Sequence, residues 1–160
     1  MFELVNLTTV LRLSDKNGVI VSMTADGKPL TGAAERAFRL RLLSETGDPV
    51  TLDDRDFGQF SFDGKSVLHW SACRKFPGLE MTLKIRPAEH GSFRFRPLLA
   101  GIPSGWRLEL MSAPLLGIPL DFELLMPQSE GALYNYSEAA GETWDEHFSF
   151  PGNCNHYPGM

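Results

Sequence analysis

Along most of this chain, apolar and polar residues take turns. Leu79, Met81, Leu83 and Ile85 alternate with Glu80, Thr82, Lys84 and Arg86. Phe93 and Phe95 alternate with Arg94 and Arg96, and Trp106, Leu108 and Leu110 with Arg107 and Glu109. Phe38, Leu40 and Leu42 alternate with Arg39 and Arg41. A period of two sends one set of side chains to a dry face and the other to water, as an antiparallel sheet with one buried side requires. Turn signals punctuate these runs. Asn17-Gly18, Asp26-Gly27 and Asp63-Gly64 supply the positive backbone angles of tight hairpin turns. Asp63-Gly64 joins Phe60-Ser-Phe62 to Val67-Leu-His-Trp70, and Asn17-Gly18 joins Val10-Leu-Arg-Leu13 to Val19-Ile-Val-Ser-Met23. Many short strands with regular turns predict an all-β antiparallel sandwich.

Helical signals are few. Ala33 to Leu40 has room for one turn before its strand, and Ser137-Glu-Ala-Ala140 starts a short helix that Gly141 would end. The alternation gives way near Pro127. Residues 1–127 read as the strand-rich body, and 128–160 as a loop-rich tail of the same domain. The tail carries Tyr134, Tyr136, Trp144, His147, Phe148, Phe150, His156 and Tyr157 and ends at Tyr157-Pro158-Gly159-Met160. A terminal segment so aromatic is not a solvated tail. It is expected to pack against a neighbour.

Composition narrows the function classes. At 160 residues the chain is one domain, long enough to bury roughly 70% of its unfolded surface. Its 42% apolar and 22% charged content is ordinary for a globular protein. Fifteen basic against twenty acidic residues, a net charge of -5, weigh against nucleic acid, which needs basic residues clustered on one face. Arg39/Arg41 and Arg94/Arg96 read instead as outward faces of strands. The longest apolar-rich stretches, Arg96 to Pro103 and Ala113 to Pro127, are broken by Pro or charge, so no membrane span is expected. The opening Met-Phe-Glu-Leu lacks a signal peptide's basic and apolar blocks, which points to the cytoplasm. Cys73 and Cys154 then read as thiols, and the sequons at Asn6-Leu-Thr8 and Asn135-Tyr-Ser137 as chance.

Residues that can carry chemistry gather in the tail. Trp144, Tyr134 and Tyr136 offer flat rings, with Asn135 and Glu130 nearby to bond hydroxyls: the residue types of a sugar platform. Set against this is the packing use that aromatics usually serve. Asp145, His147, Cys154 and His156 are metal-capable, but their spacing matches no strong zinc pattern. Asp53-Asp54-Arg55-Asp56 lacks the alternate ligands, central Gly and terminal Glu of a calcium loop, and reads as a solvated turn. Glu130, Asp145 and Glu146 can be combined into a glycosidase-like carboxylate pair, as in any acidic chain. His69, between Leu68 and Trp70, falls on the wet side of its strand. No phosphate loop, nucleophile elbow or dinucleotide fingerprint occurs, and no cofactor is expected.

The order of these features resembles N-terminal β-sandwich domains, of the galactose-mutarotase-like kind, in bacterial glycoside hydrolases and related proteins with a (β/α)8 barrel. The opening, Phe2-Glu-Leu-Val-Asn6 through Leu13 to Gly18-Val-Ile-Val-Ser22, carries part of the likeness. Trp106-Arg-Leu-Glu-Leu110, Pro114 to Leu125, Met126-Pro127-Gln-Ser-Glu130-Gly131 and Tyr157-Pro158-Gly159 carry the rest. The resemblance implies a supersandwich-like fold whose tail leads into a barrel. The barrel, with its catalytic carboxylates, is not in this sequence, so no catalytic residue carries over. The implied function is a non-catalytic accessory domain of a carbohydrate-active enzyme, partnered by the barrel or by self-association through the C-terminal segment. The alternatives are a free-standing carbohydrate-binding module, or a small epimerase-like enzyme using His69 or His156.

Overall fold

The computed structural model describes residues 1–117 in full and, beyond them, the backbone of Glu123–Met126 and Ala132–Asn135. The period of two becomes strand throughout. In chain order the elements are β1 (Phe2–Asn6), β2 (Thr9–Leu13), β3 (Ile20–Ala25), β4 (Lys28–Thr31), β5 (Arg39–Ser44), β6 (Pro49–Asp53), β7 (Phe57–Phe62), β8 (Val67–Cys73), β9 (Glu80–Pro87), β10 (Phe93–Ala100), β11 (Trp106–Ser112), β12 (Glu123–Met126) and β13 (Ala132–Asn135). The described residues hold two short 3-10 turns, at Asp54–Asp56 and Glu89–Gly91, and no α-helix. The fold is all-β, antiparallel and sandwich-like.

The chain divides into two compact units, 1–117 and 118–160. The first contains three sheets, with strand orders β1-β2-β3-β4, β10-β9-β8-β7 and β11-β5-β6. The second contains the ribbon β12-β13. All three sheets of the first unit send alternate residues into one core. Leu11, Leu13 and Ile20 come from the first sheet, Leu40, Leu42 and Leu52 from the third, and Leu68, Trp70, Met81, Leu83 and Ile85 from the second. Phe38 joins them, edge-on to Trp70 at 5.0 Å and to Phe57 at 5.5 Å between ring centroids. Fully burying one such side chain is worth about 1.5–3 kcal/mol, so the dry faces hold the layers together. Cys73 is buried here as a free thiol.

The three turn dipeptides do what their chemistry requires. Asp26-Gly27 closes β3 on β4 with positive φ at both residues, 50° and 74°. Asp63 caps the β7–β8 turn: its Oδ1 accepts the backbone N–H groups of Lys65, Ser66 and Val67 at 2.7–2.9 Å. Those bonds hold its carboxyl below the usual carboxylate range. Gly18, at φ 72°, brings the β2–β3 turn down onto the second sheet.

Two expectations are corrected. Ala33 to Leu40 makes no helical turn, because long-range partners take its backbone groups. Ala34 N–H donates to the Ile20 carbonyl at 2.9 Å and Ala37 N–H to the Asp54 carboxylate at 3.0 Å. Leu110 does not continue the inward row of Trp106 and Leu108. A register shift at Glu109 pairs Leu108 with Leu42 but Leu110 with Arg41, which flips Leu110 outward and Met111 toward the core. The bulge sets Glu109 Oε2 2.7 Å from Arg41 Nε. The Arg41 N–H is not aimed at that oxygen, so the contact is an ion pair without a hydrogen bond.

A Cβ on Gly18 would lie 2.7 Å from atoms of Leu68, Phe60 and Trp70. Overpacking and the positive φ act together, so Gly18→Ala is expected to cost at least about 2 kcal/mol in urea unfolding. Asp63 has its folded pKa depressed, so its contribution is present above the unfolded value and is lost as pH falls through the folded one. Asp63→Asn is therefore expected to lower stability at neutral pH. It should also make the acid limb below about pH 4 shallower, as followed by circular dichroism.

Candidate functional site

Most residues singled out in the tail lie outside the described residues: Glu130, Tyr136, Trp144, Asp145, His147, Cys154 and His156. So do Glu146 and the short helix expected at Ser137 to Ala140. Tyr134 and Asn135 fall in β13, in register with Leu124 and Glu123 of β12.

The acidic run Asp53-Asp54-Arg55-Asp56 is a structural cap. The Asp53 carboxylate accepts from the Arg55 backbone N–H at 2.9 Å, and the Asp56 carboxylate accepts from the Asp53 N–H at 2.8 Å. The Arg55 guanidinium, bonded to Asp53 Oδ2 at 2.6 Å, holds the Asp53 carboxyl below its ordinary value. The expectation of a solvated turn fails at one residue, because Asp54 is only 4% exposed. Its two oxygens accept from Ala37 N–H at 3.0 Å and Asn17 Nδ2 at 3.1 Å. Asn17 in turn accepts the Trp70 indole N–H on its carbonyl at 3.0 Å. Among the described residues, no group of three or more His, Cys, Asp or Glu converges to hold a metal ion.

His69 lies on the outward face of β8, as its alternation predicts, with Nε2 3.3 Å from Glu80 Oε2 on β9. Neighbouring outward residues bond each other in the same way: Ser71 Oγ donates to Gln59 Oε1 at 3.3 Å. This face is polar, and among the described residues it assembles no nucleophile, base and orienting group in sequence.

One concave feature of the body is a cleft of about 710 Å³ on the β9–β10 ribbon. Its walls include Lys84 and Arg86 from β9 and Arg94 and Arg96 from β10. The pairing register sets Arg94 directly opposite Arg86, and Arg96 directly opposite Lys84. Like charges directly opposite destabilise a sheet, each cross-strand pair being worth from a few tenths to about 1 kcal/mol. The inward pairs, Phe95 with Ile85 and Leu99 with Met81, bury more than that, so the ribbon forms against the repulsion.

One end of the cleft is closed by the connection from Ala88 to Ser92. His90 there takes φ 56°, in the left-handed region that a non-glycine residue enters at a cost. The turn is latched from behind. Asn6 Nδ2 donates to the Ala88 carbonyl at 2.8 Å and to the Ser92 carbonyl at 2.7 Å. A Cβ on Gly91 would lie 3.0 Å from Thr9 Oγ1, so the β1–β2 turn and this one fit closely. Sequence reasoning placed Arg94 and Arg96 outward but missed their convergence with Lys84 and Arg86. The signal lay in the short connection between two alternating runs, which fixes their pairing.

Compared with family models, with curated proteins and with solved structures, the chain matches none.

Asp54→Ala removes the acceptor of a buried backbone N–H and of the Asn17 amide. Leaving them unpaired is expected to cost about 2–3 kcal/mol, measured by denaturant unfolding.

Proposed function

We propose that this chain is a non-catalytic accessory domain of a carbohydrate-active enzyme. The body is a scaffold, and the residues after it dock onto a catalytic barrel and contribute to a sugar site. The observation that carries this reading is the division of the chain. A sandwich with its own core occupies residues 1–117, and the tyrosines, tryptophan and prolines of 118–160 belong to a separate compact unit. Support also comes from the residues that resemble the lead-in of barrel-bearing hydrolases: Trp106 to Leu110, Met126 to Gly131 and Tyr157 to Gly159.

The reading is tested in two ways. Sequencing the gene around this segment is expected to show a frame that encodes alternating strands and helices next to it; a frame encoding the sandwich alone would remove the proposal. Titration with a panel of oligosaccharides is expected to change the intrinsic tryptophan fluorescence saturably, with the response lost in Trp144→Ala. A flat response across the panel would leave a scaffold without a sugar contact.

A further inference from the structure

We propose that the β9–β10 cleft binds a compact ligand carrying two or more oxyanionic groups, phosphate or carboxylate. The inference does not depend on the carbohydrate reading. It rests first on the charge arrangement. Two like-charged pairs stand at successive outward positions of one ribbon, Arg94 against Arg86 and Arg96 against Lys84. Directly opposed strand residues are about 5 Å apart, and alternate residues along a strand about 7 Å apart. Four cations thus occupy the corners of a small rectangle, and their long side chains converge on one cavity.

No described carboxylate forms an ion pair with any of the four. Elsewhere on the body, Arg12, Arg36, Arg41 and Arg55 each have a carboxylate within 3.2 Å. Among the described cleft residues Glu89 is the one carboxylate, against Lys84, Arg86, Arg94 and Arg96, with His90 beside it. A repulsive cluster that no described carboxylate neutralises is relieved by an anion, and paired guanidinium groups suit bidentate oxyanions.

The second support is preorganisation. The turn that closes the cleft is held by two hydrogen bonds from Asn6, more than 80 residues away in sequence, and it keeps His90 in a strained backbone conformation. Strain held in place by long-range contacts at the lip of a cavity is a mark of a binding site.

The size of the ligand follows from what the cleft lacks. No Phe, Tyr or Trp is among the described residues that line it, so the described wall offers charge and hydrogen-bond donors in place of a broad ring platform. The chain carries a net charge of -5, so its remaining surface repels a long polyanion. A bounded concave site suits a small multivalent anion better than a membrane surface or an extended strand.

Isothermal titration of the whole chain at low ionic strength, with tripolyphosphate, pyrophosphate, citrate and inorganic phosphate, tests the proposal. Saturable one-to-one binding is expected, tighter for the multivalent anions than for phosphate and weakening as salt rises. The double variant R86Q/R94Q is expected to lose about tenfold or more in affinity, while its Tm stays level or rises because an opposed like-charge pair is gone. Arg96→Gln alone provides a second, milder variant with a smaller loss, and Lys28→Gln, on β4, is expected to bind like the parent. Absence of saturable binding by every probe would overturn the assignment. So would unchanged affinity in both cleft variants, or binding confined to single-stranded DNA or to vesicles of anionic phospholipid.

Discussion

The fold turns on a small polar junction inside an otherwise oily core. Asp54, almost wholly enclosed, accepts the Ala37 N–H and the Asn17 amide, and the Asn17 carbonyl accepts the Trp70 indole. Four separate segments meet there: the β2–β3 turn, the lead into β5, the β6–β7 turn and strand β8. Apolar burial supplies most of the driving force, but it has no direction and would tolerate several arrangements of the layers. Hydrogen bonds to a buried charge, at about 1.5–3 kcal/mol each, carry direction. They fix which turn sits over which sheet, and so where Phe38 meets Trp70 edge-on. Gly18 belongs to the same constraint, since the turn reaches the aromatic cluster only without a side chain.

What could be read in advance was what short stretches decide alone. The alternation of Leu79 to Ile85 names the face of β9, and Asp63-Gly64 names a hairpin, because period and turn chemistry act within a few residues. What escaped reading depends on partners far along the chain. Nothing near Ala33 to Leu40 signals that Ile20, Asp54 and Leu115 supply the hydrogen bonding of this stretch. Glu109 sits in a run that keeps perfect alternation, yet the ladder slips there. Asp54 is flanked by charged neighbours and looks wet, although it is the buried one. The candidate sugar residues Tyr134 and Asn135 lie in a strand, where the sequence suggested loop.

The β9–β10 ribbon shows two faces of one strand pair under opposite demands. Its inner side gains from burying Phe95 and Leu99, while its outer side concentrates like charge. The average charge of the molecule, which is negative, conceals this local excess. Pro97 fits the same strand because β10 is at the edge of its sheet, where a missing N–H breaks no ladder. Together with Arg94 and Arg96 it makes that border a poor template for further strands.

The latch at Asn6 bears on how the chain can be produced. Asn6-Leu7-Thr8 satisfies the acceptor pattern for N-linked glycans, and its amide nitrogen is the atom such a glycan would occupy. In the folded chain both hydrogens of that nitrogen are already committed, one to Ala88 and one to Ser92. Oligosaccharide attachment during translocation in a eukaryotic host would remove one of them and wedge the two turns apart. Material from a yeast or insect secretory route would then differ in shape at this corner from bacterially made chain.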